Sequence, residues 1–446
     1  MSPRYPETHV LYRNLARDYP LIVRGEGCWL FDASGRAWLD ACGGAYVACL
    51  GHGVPDVVDA VTEQIRRVSY VNGLSFTNEA AESLADELGR FAVGDLTQFY
   101  FLSSGSDAVE AALKLARQYW VERGKPEKDR LVALTPGYHG NTLLTLSAGA
   151  REHYRTYFEP WLLPVERVPA PYAYRCSCRG EDSACRRCGG GALEDLLDQV
   201  GAHRVAAFLA EPIGGSSTGA SVPRADYWRT IRDICDRREV LWIADEVLTG
   251  AGRTGTWSAL EPYGAIPDIQ VMGKGISAGY APLAAVAAPR RIVDVLAHAG
   301  KSLLHAQTFS HTPMMCAAGV ATVRYIRDHG LVARAETVGR VLQSRMRSLL
   351  DHPLVGDVRG RGMLCGVEFV ADRTTRAPFP RAARFAERFI AAAEEEGLMV
   401  WPNTGHADGT NGDLVMVAPP YIITEAEIDQ IVTRFRKALE RIANSE

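Results

Sequence analysis

The chain has 446 residues, 47% of them hydrophobic and 23% charged, with a formal net charge of −4; this is an ordinary globular balance, long enough for two domains. No run of five or six like charges occurs, which argues against a nucleic-acid partner. The start, MSPRYPETHVLYRNLARDYP, has no apolar stretch of signal type and nowhere do 18 apolar residues follow one another, so no membrane partner is expected and the cytoplasm is the expected location.

In chain order, IVRGEGCWLFDASGRAWLDA reads as a hairpin or meander, β-type residues being punctuated by Gly25, Gly27 and the Ala33-Ser34-Gly35 turn. QFYFLSS then enters Gly105 as a strand, and DAVEAALKLARQYW puts Val109, Leu113, Ala116 and Trp120 on one helical face. Short β-rich runs follow at RLVALT, VAAFLAEP, VLWIADEV, DIQVMGK and PLAAVAAP, partly separated by helical stretches such as ADYWRTIRDICDRRE; the alternation predicts a mostly parallel, buried central sheet flanked by helices, an α/β domain. Beyond Thr312 come the helical patterns MMCAAGVATVRYIRDHG and LVARAETVGRVLQSRMRSLL, strands near VRGRGMLCGVEFV, a helix through ARFAERFIAAAEEEG, and a last helix opened by Thr424 with Glu427 as a capping box. The expected division is a large domain over 71–325, with a cysteine-containing insertion at 171–191, and a smaller α+β domain built from segments 1–70 and 326–446.

Four segments carry candidate chemistry. Lys274 stands among small residues in GKGISAGYAP, directly after the apolar strand DIQVM; burial would lower its pKa and make it a Schiff-base nucleophile, and the flanking glycines admit a planar cofactor. An exposed lysine in a glycine turn is the plain alternative. Asp245 ends the apolar run VLWIADEV, where open α/β sheets bind ligands, and could keep a pyridinium nitrogen protonated from the strand next to that of Lys274. Ser103-Ser104-Gly105-Ser106-Asp107 precedes a strong helix, an N-terminus suited to a phosphate or simply a helix cap. Tyr138, in Tyr138-His139-Gly140, offers an aromatic face to a heteroaromatic ring.

In this order SSGSDAVEAALKLAR, YHG, ADEV and GKGISAGYAPLAAV resemble the class III (omega) aminotransferases of pyridoxal-phosphate fold type I, and the likeness continues at AEPIGG, TFSHTP, VRGRGMLCGVEF and APPYIITEAEID, from about residue 20 to 440. The resemblance implies pyridoxal 5'-phosphate as cofactor. It implies that Lys274 forms the aldimine and shuttles the proton, that Asp245 pairs with the pyridine nitrogen, and that Val247 packs on the ring. Gly105 and Ser106 would hold the phosphate, Tyr138 would stack, and Glu211 would order the surroundings. Thr308 would reach the phosphate from the neighbouring subunit of a homodimer with shared sites. The implied reaction is ping-pong transfer of an amino group from an amine or omega-amino compound to a keto acid such as pyruvate or 2-oxoglutarate; racemase or epimerase, decarboxylase and aminomutase chemistry on the same scaffold are the alternatives. A non-catalytic regulator is disfavoured because no helix-turn-helix segment or basic patch is present.

Departures from the family's pattern bear on the substrate. Asn141 follows YHG where relatives acting on γ-carboxylate substrates carry Arg, Trp401 falls where others place a mobile Arg, and TGHADGTN is inserted before Gly412-Asp413. Arg24, Arg151 and Arg155 remain as substitute carboxylate clamps, though each reads first as a surface residue; with Asn141 and Trp401 in those two places, the amine-side pocket is expected to be less cationic and more apolar than in relatives acting on γ-carboxylates, and the donor's distal end neutral, aromatic or cationic. His311 precedes Thr312 where the family often has histidine at the second position. Of the ten cysteines, Cys42, Cys49, Cys235, Cys316 and Cys365 read as small core hydrophobes. Cys176, Cys178, Cys185 and Cys188 form C-x-C-x6-C-x2-C, whose ending resembles a zinc knuckle; structural zinc, disulfides and unligated thiols in a surface loop remain open, and no catalytic metal is expected.

Overall fold

Residues 4–444 are described by a computed structural model of the chain. The outermost residues of the expected small domain, 1–3 and 445–446, lie outside that range. The meander forms as expected: β1 (Ile22–Glu26), β2 (Trp29–Asp32) and β3 (Ala37–Asp40) pair antiparallel in sequence.

The central sheet is built from β4 (Gln98–Leu102), β5 (Arg130–Thr135), β6 (Glu166–Pro169), β7 (Val205–Ala210), β8 (Leu241–Glu246), β9 (Ile269–Met272) and β10 (Ala284–Ala288). Their spatial order is β4-β10-β9-β8-β7-β5-β6, with β10 alone running antiparallel to its neighbours. β7, β8, β9 and β10 are buried along their whole length, which is why they read as mostly apolar runs, broken only by Gln270 in β9 and by Asp245-Glu246 at the end of β8, rather than as alternating ones. The sequence did not announce β6; it is a four-residue edge strand ending in Pro169, and proline tolerates an edge because its missing N–H is not needed there. The helix Gly105–Glu122 crosses the sheet with Val109, Leu113, Ala116 and Trp120 all buried. Each large side chain so removed from water contributes about 1.5–3 kcal/mol.

β11 (Val355–Arg361) and β12 (Leu364–Phe369) follow the two long helices Pro313–Asp328 and Leu331–Arg347. β13 (Leu398–Met399) pairs parallel with β3, so the N- and C-terminal segments share one sheet. β14 (Trp401–Thr404) and β15 (Asp413–Val417) complete the antiparallel sheet β11-β12-β15-β14. The last helix, Glu425–Ala443, carries the full capping box between Thr424 and Glu427 and packs Ile428, Ile431, Phe435, Leu439 and Ile442 inward at helical spacing. The expected boundary at 325/326 falls inside the helix Pro313–Asp328. Among the described residues, no helix is long and apolar enough to cross a membrane.

Candidate active site

β8 occupies the middle of the seven-stranded sheet and pairs Asp245 with Val271 of β9. Lys274 follows three residues after Val271, so carboxylate and amine emerge side by side at the carboxyl edge, the ligand-binding end of such sheets. Alternation along β8 sends the next side chain, Glu246, to the other face, where it accepts from the Ala259 N–H (2.8 Å) and Gln270 Nε2 (2.9 Å). Lys274 adopts φ +44° just past Gly273. A side-chain-bearing residue in the left-handed region costs about 1–3 kcal/mol, a strain found where function requires a particular aim. Its Nζ lies 5.8 Å from the centre of the Tyr46 ring. Burial pushes the amine below the usual lysine pKa, against the opposing pull of Asp245 and Glu211.

Asp245 is held on both oxygens: Val247 N–H donates to Oδ1 (3.1 Å), and His139 Nδ1 stands 2.8 Å from Oδ2. His139 is buried, and its Nε2 finds no partner among the described residues. Glu211 accepts from the N–H groups of Gly215 (2.9 Å) and Tyr138 (3.1 Å) and from Ser217 Oγ (2.8 Å), so it fixes the loop carrying the tyrosine. Burial raises the pKa of Glu211.

The helix Gly105–Glu122 begins opposite the end of β8. Ser104 caps it by accepting from the Asp107 N–H (3.2 Å), leaving the Gly105–Ser106 end turned to the cavity. A methyl group at Gly105 would stand 3.0 Å from Val247 Cγ1, so glycine is what lets this helix end approach the strand. Ser106 Oγ accepts from the Asn141 N–H (3.2 Å). Gly140, between Tyr138 and that contact, has φ +132°, and a side chain there would collide with Ser106.

Gly105, Ser106, Tyr138, Glu211, Asp245, Val247 and Lys274 all line one cavity of about 290 Å³. Asn141 and Trp401 line it too, and the Trp401 ring lies 5.8 Å from that of Tyr46. Thr308 does not belong to this lining. It is exposed, its carbonyl accepting from the Tyr70 hydroxyl (3.0 Å), while neighbouring Gln307 donates to Ser103 Oγ and Asp107 Oδ2 (both 2.6 Å).

The arginines correct the sequence reading at one position. Arg24 is exposed, paired with Glu26 and stacked on Phe31, and Arg155 donates to the carbonyls of Ser147 (3.0 Å) and Gly149 (2.7 Å). Arg151 is not a surface residue: it is 8% exposed and lines the cavity. Its Nη1 donates to Ser216 Oγ (3.1 Å), and its Nε has no partner among the described residues. Burial lowers its pKa and, with Arg151 itself, presses that of His153 down to about 4. Arg13, Tyr46, Tyr154 and Ser216 also line the cavity and were not signalled by the sequence, since no motif or periodicity marks them. The four insertion cysteines lie elsewhere, with their sulfurs together.

A buried amine, a carboxylate on the neighbouring strand, an aromatic face and a helix N-terminus around one cavity are the groups that fit pyridoxal phosphate: they match its carbonyl carbon, ring nitrogen, ring and phosphate. The profile of the family described as aminotransferase class-III matches residues 13–439. The putrescine–pyruvate aminotransferase of Pseudomonas aeruginosa is 32% identical over 95% of this chain and 91% of its own. The structure of an (S)-enantioselective omega-transaminase from Thermomicrobium roseum superposes with a TM-score of 0.91 at 32% identity, covering 98% of this chain and 96% of that one. A pyridoxal-phosphate-bound amine transaminase from an uncultivated Pseudomonas species gives 0.89 at 32% identity, over 99% and 100%. The chain belongs to the class III aminotransferases, pyridoxal-phosphate-dependent transaminases of fold type I.

Proposed function

We propose that Lys274 carries the cofactor and moves the proton in transfer of an amino group from an amine or omega-amino compound to pyruvate or 2-oxoglutarate, in two alternating half-reactions. The observation that carries this reading is that the half-buried Lys274, just past the strand paired with that of Asp245, lines the same cavity as that carboxylate. When bound, pyridoxal phosphate supplies the electron sink that makes the hydrogen on the amine-bearing carbon acidic. Lys274, with its ammonium destabilised by burial, is the group placed to accept and return that proton at Nζ. Asp245, oriented by His139 and the Val247 N–H, would keep the ring nitrogen protonated. Gly105 and Ser106 would hold the phosphate, Tyr138 and Val247 would flank the ring, and Glu211 keeps the Tyr138 loop in place.

The reading extends to a homodimer in which the partner subunit's Thr308 completes the phosphate site. Adjoining segments leave Leu74, Phe76, Leu304 and Phe309 exposed on the Thr308 side, an apolar surface suited to a second subunit. Of the described residues, those of segments 1–70 and 326–446 are assigned to the small domain and those of 71–325 to the large one. All ten cysteines are free, as suits the cytoplasm.

Arg151 is the anchor for the keto acid's carboxylate: it is buried in the cavity with donor capacity to spare. Tyr46 and Trp401 add an apolar stretch to a wall that also carries Arg13, Asn141 and Ser216, and that stretch is the surface proposed to favour a donor with a neutral, aromatic or cationic distal end over one with a distal carboxylate. Arg151→Met is expected to raise KM for pyruvate about 10- to 100-fold, the loss of one charge-assisted contact, with cofactor absorbance retained. A donor panel under pyruvate tests the same pocket. If 4-aminobutyrate or β-alanine exceeds aliphatic, aromatic and diamine donors about tenfold in kcat/KM, a difference of about 1.4 kcal/mol, or if Arg151→Met leaves KM unchanged, this assignment fails.

A further inference from the structure

The cysteines of segment 171–191 take no part in the cavity, and their arrangement makes a site of its own. We propose that Cys176, Cys178, Cys185 and Cys188 hold one structural zinc ion, which fixes this segment against the C-terminal sheet. The four sulfurs lie within 4.8 Å of one another, with Cys176 and Cys178 3.3 Å apart and Cys176 and Cys185 3.7 Å apart. Sulfurs about 2.3 Å from a tetrahedral zinc ion stand about 3.8 Å from each other, so the thiols sit close to the corners such an ion requires. Two disulfides would instead draw two of these separations to about 2.0 Å and leave the pairs free to part.

The rest of the segment suits a charged metal centre. Gly180 N–H donates to Cys178 Sγ (3.3 Å), a contact that disperses charge on a ligating thiolate. Cys185 and Cys188 share one turn, closed by the Gly189 N–H on the Cys185 carbonyl (2.8 Å). A dication among four thiolates leaves two negative charges. Of the four arginines in residues 171–191, Arg175 pairs with Glu368 and Arg186 with Asp195, which leaves Arg179 and Arg187 on the stretch as cations beside that charge. Sulfur alone in the donor set selects a soft or borderline tetrahedral ion, and four protein ligands leave no position for water or substrate, which makes the ion structural.

The segment also has need of such a tie. Between Pro169 and Ala192 it forms only the turn Ala173–Arg175 and no strand, yet Cys176 and Cys188 are buried. Its leading residues grip the other sheet: the Tyr172 hydroxyl donates to Glu368 of β12, Arg175 Nε donates to the same carboxylate (2.6 Å), and Arg359 Nη2 donates to the Tyr172 oxygen (2.8 Å). Ordering so long a loop costs conformational entropy that one ion with four ligands offsets.

The experiment is metal analysis by plasma mass spectrometry on the untagged holoenzyme, expressed without added metal and purified without chelator. The expected result is one zinc per chain, replaceable by cobalt with the visible absorption bands of tetrahedral thiolate coordination. Cys185→Ser with Cys188→Ser is expected to lose the zinc and lower the melting midpoint by several degrees while the bound-cofactor absorbance remains. Should that variant fail to fold, zinc content and the cobalt spectrum of the parent protein still decide. Zinc far below one per chain, stoichiometric iron in its place, or a mass lowered by disulfide formation at these cysteines would overturn the proposal.

Discussion

Lys274→Ala is expected to lose both borohydride-trappable cofactor and multiple turnover. The lysine supplies a covalent attachment and a proton carrier, and general acid–base catalysis alone contributes about 10²- to 10⁴-fold. Tyr46, whose ring centre lies 5.8 Å from Lys274 Nζ, does not replace it: burial pushes its hydroxyl pKa well above the usual value, so it stays protonated. Alanine keeps the Cβ and leaves the φ +44° backbone as it is, so the variant is expected to fold, with an unchanged melting midpoint in the absence of cofactor as the control. Near-normal multiple turnover in this variant would remove Lys274 from the mechanism.

Asp245→Asn is expected to lower kcat about a thousandfold, near 4 kcal/mol of transition-state stabilisation, while the protein stays folded. An asparagine can keep the Oδ1 contact with the Val247 N–H (3.1 Å) and a hydrogen bond toward His139, so the local scaffold is retained. What it cannot supply is the negative charge that keeps a ring nitrogen protonated, and an unprotonated ring withdraws electrons poorly. Equal kcat values in the two proteins, with equal cofactor content, would contradict the role.

Much of this site was legible because the residues that build it lie on elements with strong local signals. β8 and β9 are short, mostly apolar runs, so their ends, and with them Asp245 and Lys274, are placed at the sheet's edge by the sequence alone. Ser104 and Thr424 announce helices through short-range capping rules. The opposite facing of Asp245 and Glu246 follows from strand alternation alone.

The rest depended on contacts that no local pattern encodes. Arg151 sits in an irregular turn just ahead of the four-residue helix Glu152–Arg155, where no periodicity indicates direction, and one of its partners, Ser216, is 65 residues away. Tyr46 enters the cavity through a kinked turn with φ +66° at a non-glycine residue, which sequence rules discourage. The spacing C-x-C-x6-C-x2-C left zinc, disulfides and unligated thiols open, because spacing fixes the order of the ligands and not whether their sulfurs meet.

The most direct test of the central claim is a single half-reaction on the holoenzyme. The protein is mixed with an isotopically labelled amine donor in the absence of keto acid, freed of excess donor by gel filtration, and then given pyruvate. The account predicts that the protein itself retains the amino group and delivers labelled alanine at one per site, and that Lys274→Ala delivers none. Labelled alanine that forms only when donor and pyruvate are present together, or at the same yield from Lys274→Ala, would contradict it.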